Sequence, residues 1–157
     1  MHLSAARIAT AVASSLALLI VAAIVWFLFD SQPSKDEVAV AKSPDGRFIA
    51  KLVEVNGGAT TSFGYLVLLS EPSSAPKEYE VVNLYGAVRS ASAYGANLSW
   101  TSPHELTVEY LHAKGTELLN PKLKFGTTEV TVVLRPNVTD ATAPPGGMLY
   151  NLQGRRQ

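Results

Sequence analysis

Between Ile8 and Phe29 the chain runs for 22 residues without a charge, IATAVASSLALLIVAAIVWFLF, and nothing else in the sequence limits its folding as sharply. As a helix rising 1.5 Å per residue, this segment is about 33 Å long, the thickness of a bilayer's hydrocarbon core. Twelve of the 22 are Leu, Ile, Val or Phe. Each favours insertion by roughly 0.3–0.6 kcal/mol, a sum on the order of 5 kcal/mol against small penalties from Thr10, Ser14 and Ser15. A buried helix in a small domain rarely runs so far without a charge. A cleaved signal peptide is the other reading, with Arg7 as its basic flank and Val21-Ala22-Ala23 as the cleavage site. Cleavage there would leave IVWFLF at the new terminus, where polar residues are usual, so residues 8–29 are expected to remain as a transmembrane helix. Trp26 and Phe27 suit its interfacial end.

Arg7 and the amino terminus lie on one flank, with Asp30, Lys35, Asp36 and Glu37 on the other. This charge bias places residues 1–7 in the cytoplasm and residues 30 onward outside it. Ala9, Ala13 and Ala17 form a small-residue ridge that permits homo-oligomer contact in the membrane. Alanine is common in such helices, and the plainer reading is preferred.

Residues 30–37, DSQPSKDE, are polar and aperiodic and read as a tether. From 38 to 135 short runs rich in Val, Leu, Thr and Tyr are separated by Gly, Pro, Asn and Ser, the mark of strands joined by turns. Period-two alternation is clear in Glu105–Tyr110 and Glu129–Arg135, which read as half-buried strands. Phe48–Val55 and Phe63–Ser70 are apolar on both faces for part of their length, as expected of central strands covered on both sides. Val38–Ala41, Glu78–Leu84, Asn97–Trp100 and Lys122–Phe125 complete the set. The expected fold is therefore mostly β: one N-terminal transmembrane helix, then a small antiparallel β-sandwich or curved sheet of about seven strands. Its core is expected to hold Phe48, Leu52, Leu66, Leu68, Val81, Leu106, Val108, Val130 and Val132. Pro144-Pro145-Gly146-Gly147 breaks regular structure, so residues 136–157 read as a flexible C-terminal tail.

The chain has no cysteine, which excludes disulfides, thiol nucleophiles and Cys-ligated zinc or iron–sulfur centres. Thirteen basic residues balance thirteen acidic ones, and nucleic acid is not expected as a partner because phosphate binding rests on a basic excess. His104 and His112 lie eight apart with no third ligand at metal spacing, while His2 precedes the apolar run, so no metal site is expected. Ser62, His104 and Asp45 can be drawn as a triad, yet there is no Gly-x-Ser-x-Gly elbow to support it. Glu105 and Glu109, four apart on one strand, stand about 13 Å apart, beyond the separation glycosidase chemistry uses. The glycine-rich 57–64 stretch lacks the lysine and following helix of a phosphate loop. No catalytic residue, cofactor or metal is expected.

Ser43-Pro44-Asp45-Gly46 carries a turn in its letters, with Pro44 presetting φ and Gly46 taking a positive one. Followed by RFIAKL, it resembles the hairpin turn in blades of TolB-type β-propellers, and LSWTSPHEL at 98–106 looks like a degenerate second copy. A propeller needs at least four blades, so the likeness ends at the hairpin. Together the anchor, SPDGRFIA, the GGATT of residues 57–61 and Leu98-Ser99-Trp100 resemble a group of small bacterial envelope proteins, membrane-anchored or lipidated, whose role is uncharacterised. The matching stretch is about 60 of 157 residues. This resemblance implies a bacterial origin and a β-rich domain and transfers no catalytic residue. The lipobox cysteine of the lipidated members is absent, which leaves anchoring to the helix.

The expectation is a single-pass protein of the bacterial inner or plasma membrane that presents a small β-domain for binding or assembly, with another envelope protein as its partner. A small envelope hydrolase or transferase is the alternative. Gly57, Gly58, Thr60, Thr61 and Ser62 form the candidate contact loop, being longer and richer in glycine and hydroxyls than a two-residue hairpin requires.

Overall fold

The computed structural model describes residues 5–30 and 33–153, with side chains of the first segment described at Thr10 and from Val12 to Trp26. The chain divides into two units, Met1–Gln32 and Pro33–Gln157. In the first, α1 (Ala5–Asp30) is a single helix of 26 residues. Alanine and leucine favour it locally, and its apolar residues point in every direction rather than along one stripe. Val12, Leu16, Leu18, Leu19, Ile20, Val21, Ile24, Val25 and Trp26 are all exposed. Among the described residues no helix is long and apolar enough to cross a membrane; the run of described side chains, Val12–Trp26, covers about 22 Å of helix. Ala13 and Ala17 are exposed, while the Ala9 and Arg7 side chains, His2 and the last four residues lie outside the described residues.

Among its described residues the second unit holds eleven strands: β1 (Ser34–Lys42), β2 (Ile49–Asn56), β3 (Gly64–Ser70), β4 (Tyr79–Tyr85), β5 (Val88–Ser90), β6 (Ala93–Tyr94), β7 (Asn97–Ser102), β8 (Glu105–Glu109), β9 (Gly115–Leu118), β10 (Lys122–Phe125) and β11 (Thr128–Arg135). A six-residue helix, α2 (Met148–Gln153), follows. One sheet has the order β1-β2-β3-β4-β9, the second β10-β11-β8-β7, and β5 and β6 form a small hairpin. Inward side chains of both large sheets, among them Leu52, Val67, Leu84, Leu106, Val108 and Val130, belong to one buried cluster. The arrangement is that of a β-sandwich.

All eight expected strands are present, and three more bring the number to eleven rather than seven. β5 and β6 are too short to show a period, and β9 is exposed along most of its length, so neither carried an alternation signal. The sheets are not wholly antiparallel either: β8 and β11 pair in parallel, Leu106 opposite Val132. Between them the chain leaves for the first sheet as β9 and returns as β10, which reverses its direction an extra time.

The Ser43–Gly46 turn forms as its residues require. The Ser43 hydroxyl donates to Asp45 at 2.7 Å and accepts from the Phe48 amide at 2.9 Å, and Gly46 has φ +73°. The Ser43 hydroxyl holds the Asp45 carboxyl below its usual range.

Two domain boundaries differ from expectation. The tether read over 30–37 is strand from Ser34 onward, with Lys35 opposite Val55 and Glu37 opposite Val53; its polar side chains belong to an edge strand, which needs few buried residues. The tail read over 136–157 is tied down as far as α2. Asn137 and Val138 amides donate to Leu111 and Tyr110 carbonyls, Asp140 to Arg89 and Gly146 to Ser92. Met148 is buried.

Two core assignments on β3 are also reversed. Tyr65, Val67 and Leu69 point inward and are fully buried, whereas Leu66 and Leu68 point outward and are only half-buried. Both faces of β3 are apolar, so periodicity fixed no phase. Register with β2 decides it: Leu52 opposes Val67, and Glu54 opposes Tyr65. The expectation that β2 and β3 are covered on both sides also fails, because Lys51, Val53, Val55, Leu66 and Leu68 keep partial exposure on the outer face. β8 departs in the other direction: Thr107, on its polar side, is buried beside Leu106 and Val108.

Candidate functional site

The outer face of the first sheet is laid out in rows set by strand register. One row runs Lys35, Val55, Gly64, Tyr85, Gly115, and the next Glu37, Val53, Leu66, Asn83, Glu117. At the far end of the strip Lys51 sits between Glu37 at 3.1 Å and Glu78 at 2.9 Å, and these two acceptors raise its pKa. Around Gly64 the surface forms an open depression of about 360 Å³ lined by Lys35, Val55, Gly57, Ser62, Leu66 and Tyr85 among others. A second, of about 320 Å³, lies beyond Tyr85 against Gly115 and Glu117. Tyr85, 45% exposed, divides them.

Four glycines edge this region, and they differ in what requires them. Gly58 has φ +96°, and a Cβ on Gly57 would come within 2.8 Å of the Thr61 hydroxyl; both therefore serve the turn. Gly64 and Gly115 lie in strands, outside the left-handed region, where a Cβ would meet only ordinary contacts at 3.5 Å, with Val55 and Tyr85 respectively. Neither backbone geometry nor crowding calls for glycine at these two positions. Each is the first residue of its strand, Gly64 of β3 and Gly115 of β9, and the bare backbone there leaves open surface beside Tyr85. With strands about 4.8 Å apart, the Gly64 gap between the Val55 and Tyr85 strands is about 10 Å wide.

The contact loop expected at Gly57, Gly58, Thr60, Thr61 and Ser62 forms the rim of this depression rather than the site itself. Asn56 accepts from the Gly58 amide at 2.9 Å, and the Thr61 hydroxyl donates to the Gly58 carbonyl at 3.1 Å, so these groups close the turn. The Ser62 amide donates to the Tyr85 oxygen at 3.0 Å and the Ser62 hydroxyl accepts from Lys114 at 2.7 Å. The amide bond first, then the Ser62 hydroxyl, lowers the Tyr85 pKa from its ordinary value. Thr60 is exposed at the tip. Tyr85, Gly64 and Gly115 were missed by sequence reading. The available signal was a pair of glycines at strand starts, one of which, Gly64, was absorbed into the glycine-rich loop.

The other constellations drawn from the sequence are dispersed. Asp45 and Ser62 lie beyond opposite ends of β2, about 26 Å of strand apart. His104 instead packs its ring edge-on against Phe48. Glu105 accepts from Thr101 at 2.5 Å and Glu109 pairs with Arg135 at 3.1 Å. Among the described residues no group of three or more His, Asp or Glu is placed to hold a metal ion.

Inside the domain lies a polar network that the sequence did not announce. Glu54, 3% exposed, accepts from the Tyr65 hydroxyl at 2.7 Å and from the Met148 amide at 2.8 Å. Burial pushes the Tyr65 phenol far above its ordinary range, and the bond to Glu54 adds to the shift. Nearby, buried Arg89 donates to the Tyr94 carbonyl at 3.3 Å and to Asn97 at 3.4 Å, and Asn97 donates to Asp140 at 3.2 Å. Through Met148 and Asp140 this network ties the C-terminal segment to the strands, and it reads as structural.

Comparison with protein-family models, with curated proteins and with solved structures finds no match to this chain.

Proposed function

We propose that the protein is a single-pass membrane protein of the bacterial envelope, with its amino terminus in the cytoplasm, whose β-domain acts outside the cytoplasm as a binding module rather than an enzyme. The observation that carries this reading is α1. Nine large apolar side chains between Val12 and Trp26 are exposed around the helix, and water disfavours such a surface by roughly 25 cal/mol per Å². The apolar sequence continues to Ile8 on one side and Phe29 on the other, giving the length a bilayer requires. The binding role rests on the outer face of the first sheet, where half-buried Val55 and Leu66 line an open notch over Gly64 and half-buried Val53 and Leu68 continue the apolar surface. The envelope setting rests on the resemblance carried by SPDGRFIA and GGATT.

Alkaline carbonate extraction of membranes tests the anchor. Full-length protein is expected to stay in the pellet, and a variant with Leu18, Leu19 and Ile20 changed to Asp to leave it. Wild-type protein recovered in the supernatant with its amino terminus at Ile24 would overturn the reading.

A further inference from the structure

We infer that the notch over Gly64 is a saccharide site, in which a sugar ring lies over the Gly64 floor against the exposed ring of Tyr85. The inference rests on reading the domain as a binding module and names its ligand class. Two strand glycines flank Tyr85 in one cross-strand row, and neither is required by the fold. What they leave is a partly exposed aromatic side chain between two open depressions, its hydroxyl held by the Ser62 amide.

The chemistry around it is mixed in the way a sugar requires. A pyranose presents carbon-bound hydrogens on its faces and hydroxyls around its rim. Val55, Leu66 and the Tyr85 ring offer the apolar surface. Asn83 donates to Glu117 at 3.3 Å, which leaves the Asn83 side-chain carbonyl and the second Glu117 oxygen as acceptors with no hydrogen-bond partner among the described residues. Ser62 supplies a hydroxyl already polarised by Lys114.

A peptide fits less well. β2, β3 and β4, which carry the notch, are each paired on both sides, so no backbone edge is open there for strand addition. Lys35 and Glu117, at opposite ends of the two rows, have opposite signs, and the face lacks the one-signed field that selects a charged segment. A neutral, polyhydroxylated ligand answers both facts.

Calorimetric titration of the full-length protein in nanodiscs with chitohexaose, cellohexaose and maltohexaose tests the site without depending on membrane topology. At least one sugar is expected to bind saturably. Gly64→Val and Tyr85→Ala are each expected to weaken that binding by about tenfold or more, while Tyr85→Phe, which keeps the ring, retains most of it. Gly64→Val fills the notch at a position where a Cβ meets only Val55 at 3.5 Å, so its melting temperature is expected to equal or exceed that of the wild type. A destabilised Gly64→Val would show that the glycine serves the fold and would overturn the inference. So would undiminished sugar binding by that variant. Absence of binding by all three sugars, or binding of an unstructured peptide in their place, would overturn the saccharide assignment while leaving the anchor and the binding face standing.

Discussion

Glu54 shows how much a single side chain governs the first sheet. A carboxylate placed 3% exposed on the inner face of β2 is tolerated because a phenol and a backbone amide both point at it. Glu54→Ala leaves those two donors without an acceptor, and a loss on the order of 2–5 kcal/mol is expected in urea unfolding. Glu54→Gln, which keeps an acceptor oxygen, should cost clearly less. The same logic separates neighbours on β8. Val108 is fully buried, and Val108→Asp is expected to unfold a domain with about 5–15 kcal/mol of stability. Glu109→Ala removes a partly exposed pair with Arg135 and should cost under about 1 kcal/mol. Circular dichroism melts of the two variants check the contrast. At this scale the sequence was legible where polar and apolar residues alternate, as at Val130 and Val132, except at Thr107, which is buried on the polar side of β8. It was not legible at Leu66 and Leu68, because β3 is apolar on both faces and its phase is set by a buried glutamate on the neighbouring strand.

Among the elements, the C-terminal segment differs most from its sequence. Pro144, Pro145, Gly146 and Gly147 do exclude regular structure, yet irregular backbone can still be bound. Gly146 bridges to Ala93, and Gly95, at φ +118°, leaves room for Met148, whose Cγ a Cβ there would approach within 2.7 Å. Removing residues 144–157 should therefore lower the melting temperature and open the core to hydrogen exchange around β2 and β3. Unchanged exchange there would show that the segment merely rests on the surface. Asp140 adds a pH dependence. Hydrogen bonds from Thr142, then Asn97, together with the charge of Arg89, lower its folded pKa. The stability it contributes is thus fully present above its unfolded pKa, about 3.9, and is lost as pH falls through the lower folded value. Asp140→Asn is expected to flatten that part of the acid slope in a series of melts below about pH 4. The loop between β2 and β3 divides similarly: Thr61→Ala should lower stability slightly through its lost bond to Gly58, whereas Thr60→Ala should leave the melting temperature unchanged.

For the whole molecule, the class of fold and eight strands were readable from turn residues and period-two runs. Strand order was not. The parallel pairing of β8 with β11 follows from an excursion through β9, whose four residues carry no buried side. The candidate site was half readable: the Gly57–Ser62 rim stands out by composition, while the notch depends on register, which brings Gly64, Tyr85 and Gly115 into one row from three separated strands. In the proposed topology α1 holds this domain to a membrane with residues 33–153 outside the cytoplasm. Protease added to intact spheroplasts tests it most directly, with an antibody against the β-domain as the readout. Digestion of that domain before lysis is expected, with a fragment containing α1 left in the membrane. Protection of the β-domain until the cells are lysed would contradict it.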